Sequence, residues 1–207
     1  MKIVIISDTH NLTPELPSGD LLIHAGDFTM RGEMDEVKQF SKWLSSIQDQ
    51  FRYIILTPGN HDFWFDGNNS DVYPRTNVFV NQCIIIEGIK FWLSPYSNQF
   101  ASWAFMGEEN ELSKIWNKIP TDTDVVVTHG PPKGILDLSL FEYKDMTKHA
   151  GSQSLLYRIL KIKPKVHIFG HIHEAYGEKY RKGIHFINAS ITNESYQAVN
   201  QPIVINL

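Results

Sequence analysis

The sequence predicts an α/β domain built around a central pair of mixed β-sheets. Short runs of β-branched residues recur along the chain, and most are continuously apolar, as in strands covered on both faces. Helical patterns lie between several of these runs. The chain has 207 residues, of which 42% are hydrophobic and 20% charged, so we expect one domain spanning residues 1–207.

The strands are the most frequent elements that the sequence predicts. Their common feature is a run of Val, Ile, Leu or aromatic residues that ends at a small, polar or turn residue. The runs lie at residues 2–7, 20–25, 52–57, 82–87, 90–94, 124–129, 165–169, 184–188 and 202–207.

Three helices are predicted from apolar residues spaced by three or four positions. The first covers residues 33–48, and the other two include residues 112–119 and 155–160. The aromatic stretch at 96–106 fits neither period, so we interpret it as a loop or short cap that either packs on the domain or grips substrate.

Composition excludes several classes of function. The net charge is −4 and no Lys/Arg cluster occurs, so duplex nucleic acid is not expected as a partner. No apolar stretch approaches the roughly 20 residues of a membrane span. The N-terminal apolar run is too short for a signal peptide. The single cysteine, Cys83, is predicted to be a buried inert thiol, and we expect a soluble protein of the cytoplasm that does not bind membranes.

Polar side chains follow five of the predicted strands at the point where each strand ends. Because groups at the carboxyl ends of strands in open α/β sheets converge on a shared crevice, we expect these side chains to lie together. All offer oxygen or imidazole donors and none is a thiolate, which favours divalent manganese, iron, cobalt or zinc. They are Asp8, His10, Asp27, Asn60, His61, Asp62, His129, His171 and His173.

The number of donors indicates two ions. A single open catalytic ion keeps about three or four protein ligands, whereas two ions that share one carboxylate use seven. A pair about 3.5–4 Å apart holds both the attacking and the leaving oxygen in phosphoryl transfer. The residues alone therefore predict a dinuclear metal hydrolase with the ligands Asp8, His10, Asp27, Asn60, His129, His171 and His173.

The order of these motifs resembles the calcineurin-like metallophosphoesterase superfamily. The motifs are Asp-x-His at 8–10, Gly-Asp at 26–27, Gly-Asn-His-Asp at 59–62, His129, and Gly-His-x-His at 170–173. The stretches LPSGDLLIHAGDFT, GHIHEAYG and INAS…NQPIVINL further resemble the small metallophosphoesterase-domain-containing (brain protein 239-like) proteins, some of which are cyclic-nucleotide phosphodiesterases. The resemblance implies a four-layer α/β/β/α sandwich of two mixed β-sheets flanked by helices.

The resemblance also implies a role for each motif residue. Asp8, His10 and His173 would hold the first ion, Asn60, His129 and His171 the second, and Asp27 would bridge them. His61 would face the substrate and either protonate the leaving alkoxide or stabilise developing charge, while Asp62 orients its ring. A hydroxide between the ions would attack phosphorus in line. Manganese is the favoured metal, with iron, cobalt, nickel or zinc as alternatives.

One position departs from the superfamily pattern. Met30 stands where the superfamily often has an acidic residue, which puts an outer partner of the metal site in doubt. Arg31 and Gly32 instead match the arrangement in Ser/Thr protein phosphatases, where the arginine helps to hold substrate phosphate. Arg31 is therefore either a substrate-binding residue, together with Asn60 and His61, or a surface residue before the first helix.

Several other residues are assigned outer or structural roles. His24 and His167 lie inside strands and are expected in the core or as outer hydrogen-bond partners of the site. The aromatic residues 63–65 are expected to pack beneath the site or to stack on a nucleobase. Asn188 and Ser190, at another strand end, are weaker candidates for contact with substrate.

The sequence leaves three functions open. The leading one is a dinuclear-metal phosphodiesterase acting on small phosphoesters, in particular nucleotides including 3′,5′-cyclic nucleotides. A phosphomonoesterase acting on phosphoprotein or mononucleotide is the alternative, to which Arg31 lends weight. A non-catalytic scaffold of the same fold is disfavoured, because all seven ligands and His61 are present. The oligomeric state is not predicted.

Overall fold

A computed structural model describes residues 1–66, 77–140 and 148–207. Within these residues, three α-helices occur: α1 (Met34–Ile47), α2 (Glu109–Trp116) and α3 (Gln153–Ile162). In chain order, the strands of the described residues are β1 (Lys2–Ile6), β2 (Leu21–His24), β3 (Tyr53–Leu56), β4 (Asn77–Val78), β5 (Gln82–Ile86), β6 (Ile89–Ser94), β7 (Ser97–Asn98), β8 (Met106–Gly107), β9 (Val125–Thr128), β10 (Leu138–Ser139), β11 (Lys148–His149), β12 (Val166–Phe169), β13 (Gly177–Arg181), β14 (Ile184–Asn188) and β15 (Ile203–Asn206).

Two large mixed sheets form the centre of the molecule, as predicted. The first has the order β15-β1-β2-β3-β4, with β1 to β4 parallel and β15 antiparallel to β1. The second has the order β13-β14-β12-β9-β6-β5, with parallel strands in the middle and antiparallel strands at both edges. All nine strand predictions and all three helix predictions are confirmed.

Three apolar layers hold the sandwich together. Side chains alternate across a strand. In β1, Ile3 and Ile5 therefore pack against the second sheet, and Val4 and Ile6 pack against α1. The second sheet faces α2 and α3 with its other side, where Trp116 is buried. Fully burying such side chains contributes roughly 1.5–3 kcal/mol each. The order of layers is therefore α1, first sheet, second sheet, then α2 with α3, which confirms the four-layer α/β/β/α sandwich.

Helix α1 begins where its sequence favours a helix start. The Glu36 carboxylate accepts the backbone N–H of Glu33 at 3.0 Å, one half of a capping box. The apolar residues of the helix recur on one face and are buried against the first sheet: Val37, Phe40, Trp43, Leu44 and Ile47.

Several local features differ from the sequence prediction. Cys83 is exposed rather than buried, because it lies on β5 at the edge of the second sheet. The 96–106 stretch contains two short parallel strands, β7 and β8, joined by an irregular segment. Strand β13 and the short strands β4, β10 and β11 were not predicted, because their sequences lack a long apolar run. Within the described residues, no helix combines the length and apolar character that a membrane crossing requires.

The carboxyl ends of the parallel strands in both sheets meet at one edge of the sandwich. The backbone N–H of Ser7, after β1, donates to the carbonyl of Ala189, after β14, at 2.9 Å. The N–H of Gly170, after β12, donates to the carbonyl of His129, after β9, at 3.0 Å. These hydrogen bonds join the loops that carry the predicted ligands.

Candidate metal centre

The first cluster at this edge contains Asp8, His10 and His173, whose ligand atoms lie within 4.8 Å of one another. The two Nε2 atoms of His10 and His173 are 3.3 Å apart, and His173 Nε2 is 3.5 Å from Asp8 Oδ1. His173 Nδ1 donates to the carbonyl of Asn193 at 2.9 Å, so that Nε2 is the nitrogen that faces the cluster. We call these three residues group one.

The second cluster contains Asp27, His129 and His171, and its ligand atoms also lie within 4.8 Å of one another. His129 Nδ1 donates to the carbonyl of Ala25 at 3.0 Å, which leaves Nε2 facing the cluster. His129 Nε2 is 2.9 Å from Asn60 Oδ1, so Asn60 extends the cluster. We call these four residues group two.

Asp27 lies between the two groups. Its Oδ2 atom is 3.3 Å from His129 Nε2 in group two and 3.8 Å from His10 Nε2 in group one. Its other oxygen, Oδ1, accepts the backbone N–H of His61 at 2.8 Å, which fixes the orientation of the carboxylate. One oxygen atom therefore faces ligand nitrogens of both groups.

The donor set fits divalent cations. At group two, His129 Nε2 lies 2.9 Å from Asn60 Oδ1 and 3.3 Å from Asp27 Oδ2, so three potential ligand atoms converge on one point, and all three are acceptors when the imidazole is neutral. At group one, two imidazole nitrogens and a carboxylate oxygen converge in the same way. Converging acceptors repel one another unless a proton or a metal ion lies among them, and three or four N/O ligands suit a catalytic divalent ion.

The electrostatics of the two groups follow the same pattern. Burial lowers the pKa of a histidine, but the Asp27 carboxylate overcomes this at His129 and raises its pKa to about 9. Asp8 overcomes the effect of burial in the same way at His173, whose pKa is also raised to about 9. At His10 and His171 burial dominates and lowers the pKa to about 4 and about 3. Each group therefore places one positive charge beside its carboxylate, a charge that a metal ion can supply instead.

The backbone is strained where it presents the ligands. Asp8, His10, Asp27 and His171 have φ angles of 54°, 42°, 57° and 71°, in the left-handed region that non-glycine residues seldom adopt. Such conformations cost about 1–3 kcal/mol each and persist where the surrounding structure enforces them, commonly at functional sites.

Glycines let the backbone approach the ligands closely. A Cβ added at Gly59 would lie 2.2 Å from Asp27 Oδ1, and one at Gly170 would lie 2.1 Å from Asp8 Oδ2. Gly26, with φ of 108°, would place a Cβ 2.4 Å from His129 Nδ1. The glycines of the sequence motifs are thus required by space beside the carboxylates and imidazoles.

His61 lies beside both groups and is oriented by a backbone carbonyl. Its Nδ1 donates to the carbonyl of Met30 at 2.7 Å, which leaves Nε2 as the free ring nitrogen. The ring stacks on Trp103, with centroids 4.2 Å apart, and meets the His10 ring edge-on at 4.7 Å. The expectation that Asp62 orients this ring is wrong, because Met30 takes that position through its main chain.

Asp62 instead organises the loops that carry the ligands. It is fully buried, and its carboxylate accepts the backbone N–H groups of Asp27, Thr29 and Gly59 at 2.9, 2.9 and 2.7 Å. The hydroxyl of Thr29 donates to it at 2.6 Å. Burial, followed by the charge of Asp27, raises the pKa of Asp62 to about 7. Asp62 therefore acts on the site through the Asp27 backbone.

Four aromatic residues surround the two groups, and we call them the aromatic rim: Phe63, Phe100, Trp103 and Tyr196. Tyr196 meets the His10 ring at 4.7 Å, and Phe100 lies 5.7 Å from the His171 ring. Phe63 lies 5.8 Å from Trp103. Sequence reasoning did not single out Tyr196 or Trp103, although the aromatic content of 96–106 was a signal for the latter.

The remaining candidates occupy distinct positions. His24 is buried, and its Nε2 lies 3.0 Å from the Oγ1 atom of Thr9. Thr9 is the residue between the group-one ligands Asp8 and His10 in the sequence. His167 is buried on the helix-facing side of β12 and lies 3.0 Å from Thr128 Oγ1. Arg31 is exposed, and its backbone N–H donates to Glu36.

Asn188 and Ser190 do not line a substrate surface, contrary to expectation. Both are fully buried, and the Ser190 hydroxyl lies 2.7 Å from Asp8 Oδ2. Their contacts are with the ligand Asp8 and the backbone around it.

Comparison with known proteins identifies relatives over the whole chain. The model of the calcineurin-like phosphoesterase family matches residues 1–175. Metallophosphoesterase domain-containing protein 1 of Homo sapiens is 35% identical over 236 residues, covering 100% of this chain and 71% of that protein. A UPF0046 protein of Caenorhabditis elegans is 32% identical over 225 residues, covering 99% of this chain and 74% of its own length.

Solved structures share the fold at low sequence identity. A putative 5′-nucleotidase from Staphylococcus aureus has a TM-score of 0.56 and 12% identity, covering 99% of this chain and 53% of that one. Phosphopantetheinyl hydrolase from Mycobacterium tuberculosis has a TM-score of 0.55 and 15% identity, covering 94% and 90%.

Proposed function

This chain belongs to the calcineurin-like phosphoesterase family of metal-dependent phosphoester hydrolases, and we propose that it is a dinuclear-metal phosphodiesterase that acts on nucleotides, including 3′,5′-cyclic nucleotides. Manganese is the metal that we favour, since the ligands are all oxygen and imidazole donors.

The position of Asp27 is the observation that carries this proposal. Asp27 Oδ2 lies 3.3 Å from a histidine nitrogen of one group and 3.8 Å from a histidine nitrogen of the other, which supports a role for this carboxylate as a ligand shared by two ions. Asp8, His10 and His173 would complete the first set of ligands, and Asn60, His129 and His171 the second. When bound, such a pair of ions neutralises charge on phosphoryl oxygens and makes water acidic enough to attack phosphorus near neutral pH.

His61 is the proton donor in this proposal. Its Nδ1 is engaged by the Met30 carbonyl, so Nε2 is the atom that can donate to the leaving oxygen of the substrate. His61 is 9% exposed, and its ring packs against Trp103 and His10, which supports a fixed orientation of this nitrogen. Asn60, Arg31 and His61 are the residues that we assign to substrate phosphate, with Arg31 reaching from the exposed turn next to Met30.

The aromatic rim supports a diester with flat organic groups. Phe100 is 67% exposed beside group two, and Tyr196 is 41% exposed beside group one. Neutral rings at both ends of the metal centre suit a phosphate that carries organic substituents on two sides, and base–aromatic stacking contributes about 1–3 kcal/mol per base.

A phosphoester panel tests the proposal. Wild-type protein supplied with Mn²⁺ is assayed against bis(p-nitrophenyl) phosphate, p-nitrophenyl phosphate and 3′,5′-cyclic AMP, with the Asp27→Ala variant as the control for contaminating enzymes. We expect hydrolysis of both diesters. Cleavage of the monoester alone would replace the proposal with a phosphomonoesterase, and turnover of none of the three by protein with two bound ions would make the chain a scaffold.

A further inference from the structure

The segment 188–196 begins at the last residue of β14 and lies beyond residues 1–175, which the family model matches. It nevertheless contacts every member of group one. The Ser190 hydroxyl lies 2.7 Å from Asp8 Oδ2, and the Thr192 hydroxyl donates to the Asp8 carbonyl at 2.8 Å. The carbonyl of Asn193 accepts from His173 Nδ1 at 2.9 Å, and the Tyr196 ring lies 4.7 Å from the His10 ring.

Group two is held by a different part of the chain. His129 Nδ1 donates to the Ala25 carbonyl at 3.0 Å, and Asp27 Oδ1 accepts the backbone N–H of His61 at 2.8 Å. Across residues 1–66, 77–140 and 148–207, no hydrogen bond joins the 188–196 segment to Asp27, Asn60, His129 or His171. Among the hydrogen bonds of the described residues, the segment therefore reaches group two only through Asp8, whose carboxylate accepts the backbone N–H of His171, and it holds no group-two side chain.

We propose that Ser190 and Thr192 are positioning residues that set the affinity of group one for its ion without affecting the affinity of group two. This inference rests on the two-ion site proposed above. The 188–196 segment, outside the residues that the family model matches, would then determine the metal affinity of group one.

The hydrogen bonds around Ser190 give the physical reason. Asn188 Nδ2 donates to the Ile172 carbonyl at 2.8 Å, which turns its Oδ1 toward Ser190, where it accepts the Ser190 backbone N–H at 3.1 Å. The single hydroxyl proton of Ser190 goes to the charged and nearer acceptor, Asp8 Oδ2. The N–H of His171 also donates to this oxygen, at 3.0 Å. Asp8 Oδ1, which shares the His171 N–H at 3.2 Å, is the oxygen that faces His173 Nε2 at 3.5 Å.

Thr192 acts on the backbone of the same ligand. Asp8 has a φ angle of 54°, and the Thr192 hydroxyl donates to its carbonyl at 2.8 Å. Both residues are fully buried, so water cannot replace either hydroxyl without rearrangement. Loss of an outer hydrogen bond of this kind typically weakens metal binding by about 10–100-fold.

The test uses isothermal titration of metal-free protein with Mn²⁺ in two backgrounds. His129→Ala leaves group one intact, and His173→Ala leaves group two intact. Adding Ser190→Ala or Thr192→Val to the His129→Ala background should weaken the affinity for the remaining ion about 10–100-fold. Adding either to the second should leave the affinity unchanged. Thr192→Ser, which keeps the hydroxyl, should bind as the parent does.

Ser94→Ala is the matched control. Ser94 is also fully buried, and its hydroxyl donates to Asn81 Oδ1 at 2.7 Å, so the substitution removes a similar hydrogen bond outside the 188–196 segment. Equal weakening in both backgrounds, or no weakening in the His129→Ala background, would overturn the inference while leaving two ions in the wild type. A wild-type protein that binds no ion would instead overturn the proposed function itself.

Discussion

Replacing His61 with alanine isolates the proton donor from the metal ligands. The backbone N–H of His61, which holds Asp27 Oδ1 at 2.8 Å, survives any substitution except proline. The side chain contacts Met30, Trp103 and the His10 ring, and none of these contacts orients a carboxylate ligand. A ring nitrogen of His61 lies within 4.8 Å of ligand atoms of His10 and Asp27, but in the proposed site both belong to sets of ligands that are complete without it. We therefore expect His61→Ala to retain its metal content.

The expected loss is in the chemical step. Removing a positioned general acid lowers kcat by about 10²–10⁴-fold, which corresponds to about 3–5 kcal/mol of transition-state stabilisation. Because Nε2 would donate to the leaving oxygen, the loss should be larger for 3′,5′-cyclic AMP, whose leaving group is a basic alkoxide, than for bis(p-nitrophenyl) phosphate. Equal losses on both substrates would favour charge stabilisation on the phosphoryl group over proton donation.

The assay measures kcat and KM on both substrates together with metal content by mass spectrometry. His149→Ala is the control, since His149 is an exposed histidine on β11 whose ring contacts Asp137 outside both metal groups. Loss of bound metal in His61→Ala would refute the reasoning, because it would make the imidazole a ligand. Full activity with full metal content would refute the catalytic role.

Two further substitutions give distinct expectations. Gly59→Ala should reduce bound metal and activity, because its Cβ would lie 2.2 Å from Asp27 Oδ1. Gly107→Ala should keep both, because the nearest neighbour of its Cβ is a Leu112 methyl at 3.1 Å, away from the ligands. Unchanged metal content in Gly59→Ala would contradict the close packing. Burial lowers the pKa of His167 to about 3, so between pH 6.5 and 3 the unfolded chain binds a proton that the folded chain does not. The free energy of unfolding should therefore fall by about 1.4 kcal/mol for each pH unit of acidification in this window through His167 alone. Between pH 5.5 and 4.5, well inside this window, urea unfolding of His167→Gln should show a slope that is shallower by about that amount. An identical slope would mean that His167 is protonated in the fold.

The ligand arrangement was predictable because it follows from strand ends. The apolar runs ending at Asp8, Asp27 and His129 mark parallel strands, and parallel strands bring their carboxyl ends to one edge. Counting donors then indicated two groups. The division of His171 and His173 between the groups came from the family resemblance, because a two-residue spacing suits one ion or two.

What the sequence could not provide was the contacts between distant segments. The Met30 carbonyl that orients His61 belongs to the main chain, so the methionine side chain at that position carried no signal. The link from Ser190 to Asp8 joins residues 182 positions apart, and a serine in a strand end has no distinctive pattern. The left-handed φ angles of Asp8 and Asp27 arise from the surrounding fold, since neither residue type requires them.

Metal stoichiometry tests the central claim most directly. Metal-free protein is reconstituted with Mn²⁺, the metal content per chain is determined by mass spectrometry, and the coupling between ions is followed by electron paramagnetic resonance. Because Asp27 Oδ2 faces nitrogens of both groups, we expect two spin-coupled ions per chain in the wild type and loss of the coupling in Asp27→Ala. One ion per chain, or two coupled ions that persist in Asp27→Ala, would contradict the shared carboxylate on which the account depends.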